Sequence, residues 1–139
     1  MAGYSETPLG KKLGIKAGFR MLVGHAPTNY WDLVSPLPER VVVCKKRGAN
    51  PLDFVHLFVI EYKTFQKEVL QSRKAIKRDG MIWISWPKKS SKVVTDLDEN
   101  IIRDFALENG LVDIKVCAVD EVWSGLKLVI PVKERKTPS

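Results

Sequence analysis

Val112-Asp113-Ile114-Lys115-Val116-Cys117-Ala118-Val119-Asp120-Glu121-Val122-Trp123-Ser124-Gly125-Leu126-Lys127-Leu128-Val129-Ile130-Pro131-Val132 carries two alternating apolar runs. Val112, Ile114, Val116 and Ala118 recur at every second position, the period of a strand. Leu126, Leu128 and Ile130 do the same within 125–132. Only residues 119–124 join the two runs. A parallel crossover needs about a dozen residues or more, so the last strand must run antiparallel to its neighbour.

Upstream of this hairpin the pattern changes to strand–helix alternation. Residues 54–60 are apolar nearly throughout, as expected for a strand covered on both faces. An amphipathic helix is expected over about 62–78, with Tyr62, Phe65, Val69 and Ile76 on one face and Gly80 as its stop. Residues 81–86 read as a strand stopped by Pro87, followed by a polar loop over 88–94. Asp96 and Glu99 have capping-box spacing and open a helix that buries Ile102, Phe105 and Ala106 and ends at Gly110. In the first third, Thr7 caps a short helix that begins with Pro8 and stops at Gly14. A strand follows over 19–23, broken by Gly24-His25-Ala26-Pro27. Thr28 or Asn29 caps a second short helix through Val34, and residues 40–44 form another strand. Such alternation implies parallel pairing with right-handed crossovers. The expected fold is a single three-layer α/β domain over 1–139, Rossmann-like, with about six strands. These are mostly parallel with an antiparallel last strand, and the tail frays after about 133.

Bulk properties fit this. A chain of 139 residues is the size of one domain and can bury a core without staples. No apolar run approaches the roughly 20 residues of a membrane span, and residues 1–9 lack the basic-then-apolar order of a signal peptide. Cys44 and Cys117 sit in apolar runs, which favours buried free thiols, a reducing compartment and a cytoplasmic location. Two distant cysteines and two histidines do not supply a closed metal site. Net charge is +7 with a pI of about 9.5. That balance suits either a polyanionic partner, including nucleic acid, or a solvated lysine-rich surface. No aromatic-rich RNA-binding motif accompanies the basic residues.

Two resemblances follow from particular residues. The closing hairpin, Lys77-Arg78-Asp79-Gly80-Met81-Ile82-Trp83-Ile84-Ser85 and Asp53-Phe54-Val55 resemble a class I methyltransferase, the latter two at the approach to that family's fifth strand and the start of its fourth. Between the second strand and Asp53 there is no room for the helix–strand–helix that family carries there, so the likeness is to a shortened version. Gly3-Tyr4-Ser5, Thr7-Pro8-Leu9, Lys12-Leu13-Gly14-Ile15, Trp86-Pro87-Lys88-Lys89, Thr95-Asp96-Leu97 and residues 112–127 look like an uncharacterised bacterial family of domains of unknown function.

The first resemblance implies S-adenosylmethionine bound at a glycine-rich turn after strand one, with a carboxylate at the end of strand two holding ribose hydroxyls. Here the turn is Gly24-His25-Ala26-Pro27-Thr28-Asn29, with one glycine and a proline that removes an amide donor. The second strand ends Cys44-Lys45-Lys46, and an ammonium cannot accept a hydrogen bond. Ser85-Trp86-Pro87-Lys88-Lys89-Ser90-Ser91-Lys92 is the stronger ligand candidate, at the carboxyl end of a strand, where open α/β sheets place ligands. Its lysines, serines and indole suit a phosphate or planar anion; equally, it reads as a solvated loop with the tryptophan packed on a helix.

His25 is either a ligand group or a solvated loop histidine, and His56, mid-strand, reads as a satisfied core histidine. Trp123 reads as a core tryptophan away from the ligand face. Ser85, His25 and Asp53 make no assignable triad. The leading expectation is a non-catalytic binding or regulatory domain with no cofactor. Its partner would be a small anion or nucleotide held by Trp86, Lys88 and Lys89, with His25 and Gly24 from the first loop. The alternatives are a divergent S-adenosylmethionine-dependent methyltransferase and a nucleic-acid-binding domain. Oligomeric state is left open.

Overall fold

A computed structural model describes residues 8–48 and 50–135. The elements in chain order are α1 (Leu9–Leu13), β1 (Arg20–Gly24), α2 (Tyr30–Leu33), β2 (Val42–Cys44), β3 (Leu52–Phe58), α3 (Tyr62–Ala75) and β4 (Ile76–Pro87). A 3-10 turn (Lys89–Ser91), α4 (Glu99–Glu108), β5 (Val112–Ala118), β6 (Trp123–Val129) and α5 (Val132–Arg135) complete the chain. The six strands form one sheet in the order β2-β1-β3-β4-β6-β5. Strands β2, β1, β3 and β4 pair parallel, and β6 is antiparallel to both β4 and β5. The reversed last strand is therefore inserted between β4 and β5, and the α/β architecture is the Rossmann-like one expected.

Two cores flank the sheet, which gives the three layers. On one face Phe65 and Val69 of α3, and Ile102 and Ala106 of α4, pack on Val55, Leu57, Ile82, Ile84, Leu126 and Leu128. On the other, Leu13, Tyr30 and Val34 cover Met21, Phe54, Phe58 and Trp83. Adjacent residues of β3 and β4 alternate between these cores, so strands buried on both sides read as unbroken apolar runs. Trp83 is fully buried and its indole Nε1 donates to Leu13 O at 2.8 Å, so the short α1 is fixed to the sheet centre by a satisfied polar atom. Gly14 ends α1 with φ 89°, the left-handed stop expected of it. The Thr7 cap lies outside the described residues.

Three local expectations are corrected. First, α3 ends at Ala75, and Ile76 already belongs to β4. Ile76 packs into the same core as Val69, so its apolar character at helical spacing did not reveal the change of backbone. Gly80 is not a helix stop: it lies buried within β4, beside a register irregularity in which Leu52 pairs Ile76 and Phe54 pairs Met81. A Cβ there would sit 3.0 Å from Leu52 O and Lys77 O. Second, α4 is capped by Asp98, whose Oδ1 accepts from Ile101 N at 2.8 Å. Asp96 serves another helix: its Oδ1 accepts from Tyr62 N at 2.7 Å, at the start of α3. Third, the alternation along β5 is broken by an irregularity between Asp113 and Lys115, leaving Ile114 and Val116 exposed and Cys117 buried. Past β6, Glu134 and Arg135 belong to α5, and Arg135 Nε donates to Ile130 O at 2.7 Å.

Candidate functional site

Strand β1 leads to β2 on one side and has β3 on the other. That makes the gap between β1 and β3 the point where the winding of the sheet reverses. In open α/β sheets ligands bind outside the carboxyl ends of strands at such a point. Gly24 and Leu57 are paired there, and His25 and Phe58 follow them. Two cavities open at this edge and His25 lines both. One, of about 280 Å³, is walled by Phe58, Trp123, Glu61 and Thr64. The other, of about 200 Å³, is bounded by Leu22, Leu57, Glu68, Lys45 and Lys46.

His25 is held in an unusual way. Its φ of 57° is in the left-handed region, sparsely used by residues other than glycine. Its side chain is 58% exposed, while Glu68, which it meets at 2.8 Å through Nε2, is only 18% exposed. The carboxylate accepts, so Nε2 carries the proton in this contact. The second carboxylate oxygen, Glu68 Oε1, is buried and has no hydrogen-bond partner among the described residues. Gly24 permits this packing: a Cβ there would fall 2.9 Å from Leu57 Cδ2 and 3.7 Å from Glu68 Oε1.

Under the crevice floor lies the other histidine. His56 is fully buried, stacks on Phe58 at 4.4 Å, and is bonded through both nitrogens. Tyr30 Oη meets Nδ1 at 3.0 Å and Ser85 Oγ meets Nε2 at 2.7 Å. Burial pushes His56 down to about 3 and pushes the Tyr30 phenol up, so both are neutral over the physiological range. The core reading of His56 is the observed one. Ser85, His25 and Asp53 enter three separate pairings: Ser85 with His56, His25 with Glu68, and Asp53 with Arg20 N and Lys77.

The residues expected to bind an anion are placed differently. Trp86 is 7% exposed and part of the core under α3 and α4, so its indole presents no open stacking face. Lys88 directs Nζ to Asp120 O at 2.6 Å, and its backbone N–H donates to Val122 O at 2.7 Å. Lys89 is exposed at the start of the 3-10 turn. They border a cleft of about 770 Å³ together with Lys92, but Asp96, Asp98 and Glu99 line it too, and the charges balance. His25 and Gly24 lie at the other crevice, not with the lysines.

Two residues of the crevice were not anticipated. Trp123 was placed away from the ligand face, but β6 is antiparallel, so its first residue lies at the carboxyl ends of the parallel strands. It packs edge-on to Phe58 at 5.0 Å. The direction of the last strand already implied this position. Glu68 carries no sequence motif in its lysine-rich helix; its signal is that it is the one carboxylate of α3 and adjoins buried Val69. Among the described residues no three His, Cys, Asp or Glu side chains gather as a metal site, and no helix is long and apolar enough to cross a membrane.

No protein-family model matches the chain, and no curated protein matches it. The likeness to the uncharacterised bacterial family therefore rests on the quoted motifs. Solved structures do match. Magnesium protoporphyrin IX methyltransferase from Synechocystis, with bound S-adenosylmethionine, aligns with a TM-score of 0.58 at 9% identity, over 88% of this chain and 74% of that one. An S-adenosylmethionine-dependent methyltransferase from Aquifex aeolicus aligns at 0.57 and 16% identity, over 87% of each chain. Aeropyrum pernix fibrillarin with natively bound S-adenosylmethionine aligns at 0.56 and 16% identity, over 91% of this chain and 70% of that one. The fold is a shortened methyltransferase-like Rossmann fold. The likenesses count against the leading functional expectation of a non-catalytic domain for a small anion or nucleotide, since the matched structures include S-adenosylmethionine-dependent methyltransferases.

Proposed function

We infer that this chain is a divergent S-adenosylmethionine-dependent methyltransferase whose cofactor crevice is built from β1, β3 and α3. The observation that carries the reading is the buried Glu68 Oε1 at the carboxyl end of β1, without a partner among the described residues, in a crevice at the switch point. The expected carboxylate on the second strand is absent, but Glu68 delivers one to the same cavity from the helix. A buried carboxylate oxygen without a donor is unfavourable, and a ribose hydroxyl would satisfy it. Leu22 and Leu57 supply apolar contact, and Lys45 and Lys46 offer ammoniums to the carboxylate of an amino-acid moiety. When bound, the cofactor supplies a methyl group activated by a positively charged sulfur. The two free thiols, Cys117 buried and Cys44 partly so, support a reducing, cytoplasmic setting.

Titration calorimetry with S-adenosylmethionine tests this. Binding tighter than about 100 μM, or roughly 5.5 kcal/mol, is expected. Absence of heat at about 1 mM ligand, near 4 kcal/mol, overturns the reading.

A further inference from the structure

We propose that the cavity beside Trp123 is the methyl-acceptor pocket, that it takes a small, neutral, planar molecule bearing an acidic hydroxyl, and that His25 receives the hydroxyl proton. The inference rests on the methyl-transfer reading of the crevice. Phe58 and Trp123 meet edge-to-face at 5.0 Å and give the cavity two aromatic walls suited to a ring. Its volume of about 280 Å³ suits a one-ring or small two-ring compound. The Glu61 carboxylate lines it, and neither lysine nor arginine does, so an anionic acceptor is disfavoured.

His25 has the geometry of a base. Its Nε2 is engaged by Glu68, which fixes the tautomer and leaves the Nδ1 lone pair without a partner among the described residues. A strained left-handed backbone holds the ring between the two cavities. His56 cannot substitute, because it is buried and bonded at both nitrogens. In the step, the acceptor oxygen bonds to the methyl carbon as the carbon–sulfur bond breaks, leaving its electron pair on sulfur. The hydroxyl proton passes to Nδ1. Glu68 is a positioning residue: it touches His25 and sets which nitrogen is free.

The chain has only two histidines, one exposed and one buried, so diethyl pyrocarbonate reports on His25 alone. With the whole 139-residue chain, 4-methylphenol at twice its Kd is expected to slow this modification about threefold, while benzoate of similar size does not. Nitrogen NMR of the ring should show the Nε2–H tautomer, and Glu68→Gln should lose that bias. His25→Asn, which tolerates the left-handed backbone, should lower methyl transfer to 4-methylphenol about 10²–10⁴-fold, far more than it weakens cofactor binding. Cofactor binding without phenol protection, or equal protection by benzoate, overturns the acceptor proposal alone. Absence of cofactor binding by calorimetry overturns the function reading and the base role with it.

Discussion

The two histidines of this protein, His56 within β3 level with Val23 and His25 just past the end of β1, have opposite characters. His56 is enclosed between Tyr30, Ser85 and Phe58, with both nitrogens satisfied and its charge suppressed. His25 is open to solvent, strained in its backbone and, among the described residues, paired at one nitrogen only. The side chain is the same; what differs is whether a partner is left over. A fully satisfied buried network specifies packing, while a half-satisfied group at a ligand edge retains capacity for chemistry.

The sharpest way to break this contrast is His56→Ala. It leaves a cavity and two buried hydroxyls without partners, and should destabilise by about 3–5 kcal/mol in denaturant titration. Acid tests the same site more gently. An unfolded imidazole titrates near its ordinary 6.5, and His56 in the folded chain near 3. Between those values the unfolded chain holds the extra proton, so stability falls as pH drops through the window and is fully present above it. The slope is on the order of 1.4 kcal/mol per pH unit, and His56→Gln should flatten it. At the other histidine the effects move from stability to binding. Glu68→Gln should weaken S-adenosylmethionine about tenfold, roughly 1.4 kcal/mol by calorimetry, without lowering Tm. Smallest of all, His25→Asn should alter folding stability by less than about 0.5 kcal/mol. A large loss there would mean that His25 is structural after all.

Much of the fold was legible because backbone period and connection length are local. The six strands, the two long helices and the reversed final strand all follow from spacing along the chain. Boundaries were lost where one apolar face serves two backbones: Ile76 packs beside Val69 whether the chain there is helix or strand. Capping was misassigned for a related reason. Asp96 has the right spacing to Glu99, but its carboxylate finds Tyr62, 34 residues earlier in the chain. The candidate site was only half visible. Gly24 and His25 were found because they follow a strand. Glu68 and Trp123 reach the same crevice from a helix and a reversed strand, and their convergence is a property of the assembled sheet. Lys88 illustrates the converse: its charge suggested a ligand, yet its partner is the Asp120 carbonyl.

That lysine has a further consequence. Asp120 Oδ1 accepts from the backbone N–H groups of Val122 and Trp123, both at 2.8 Å, while Lys88 grips the same turn through two bonds. Two chain connections are thus stapled into one piece, and Trp123 stands at its rim. A guest entering beside that indole would meet a wall already set in place, with little freedom left to surrender. Affinity at such a site is governed by fit rather than by adaptation, and near-isosteric molecules should be sorted sharply.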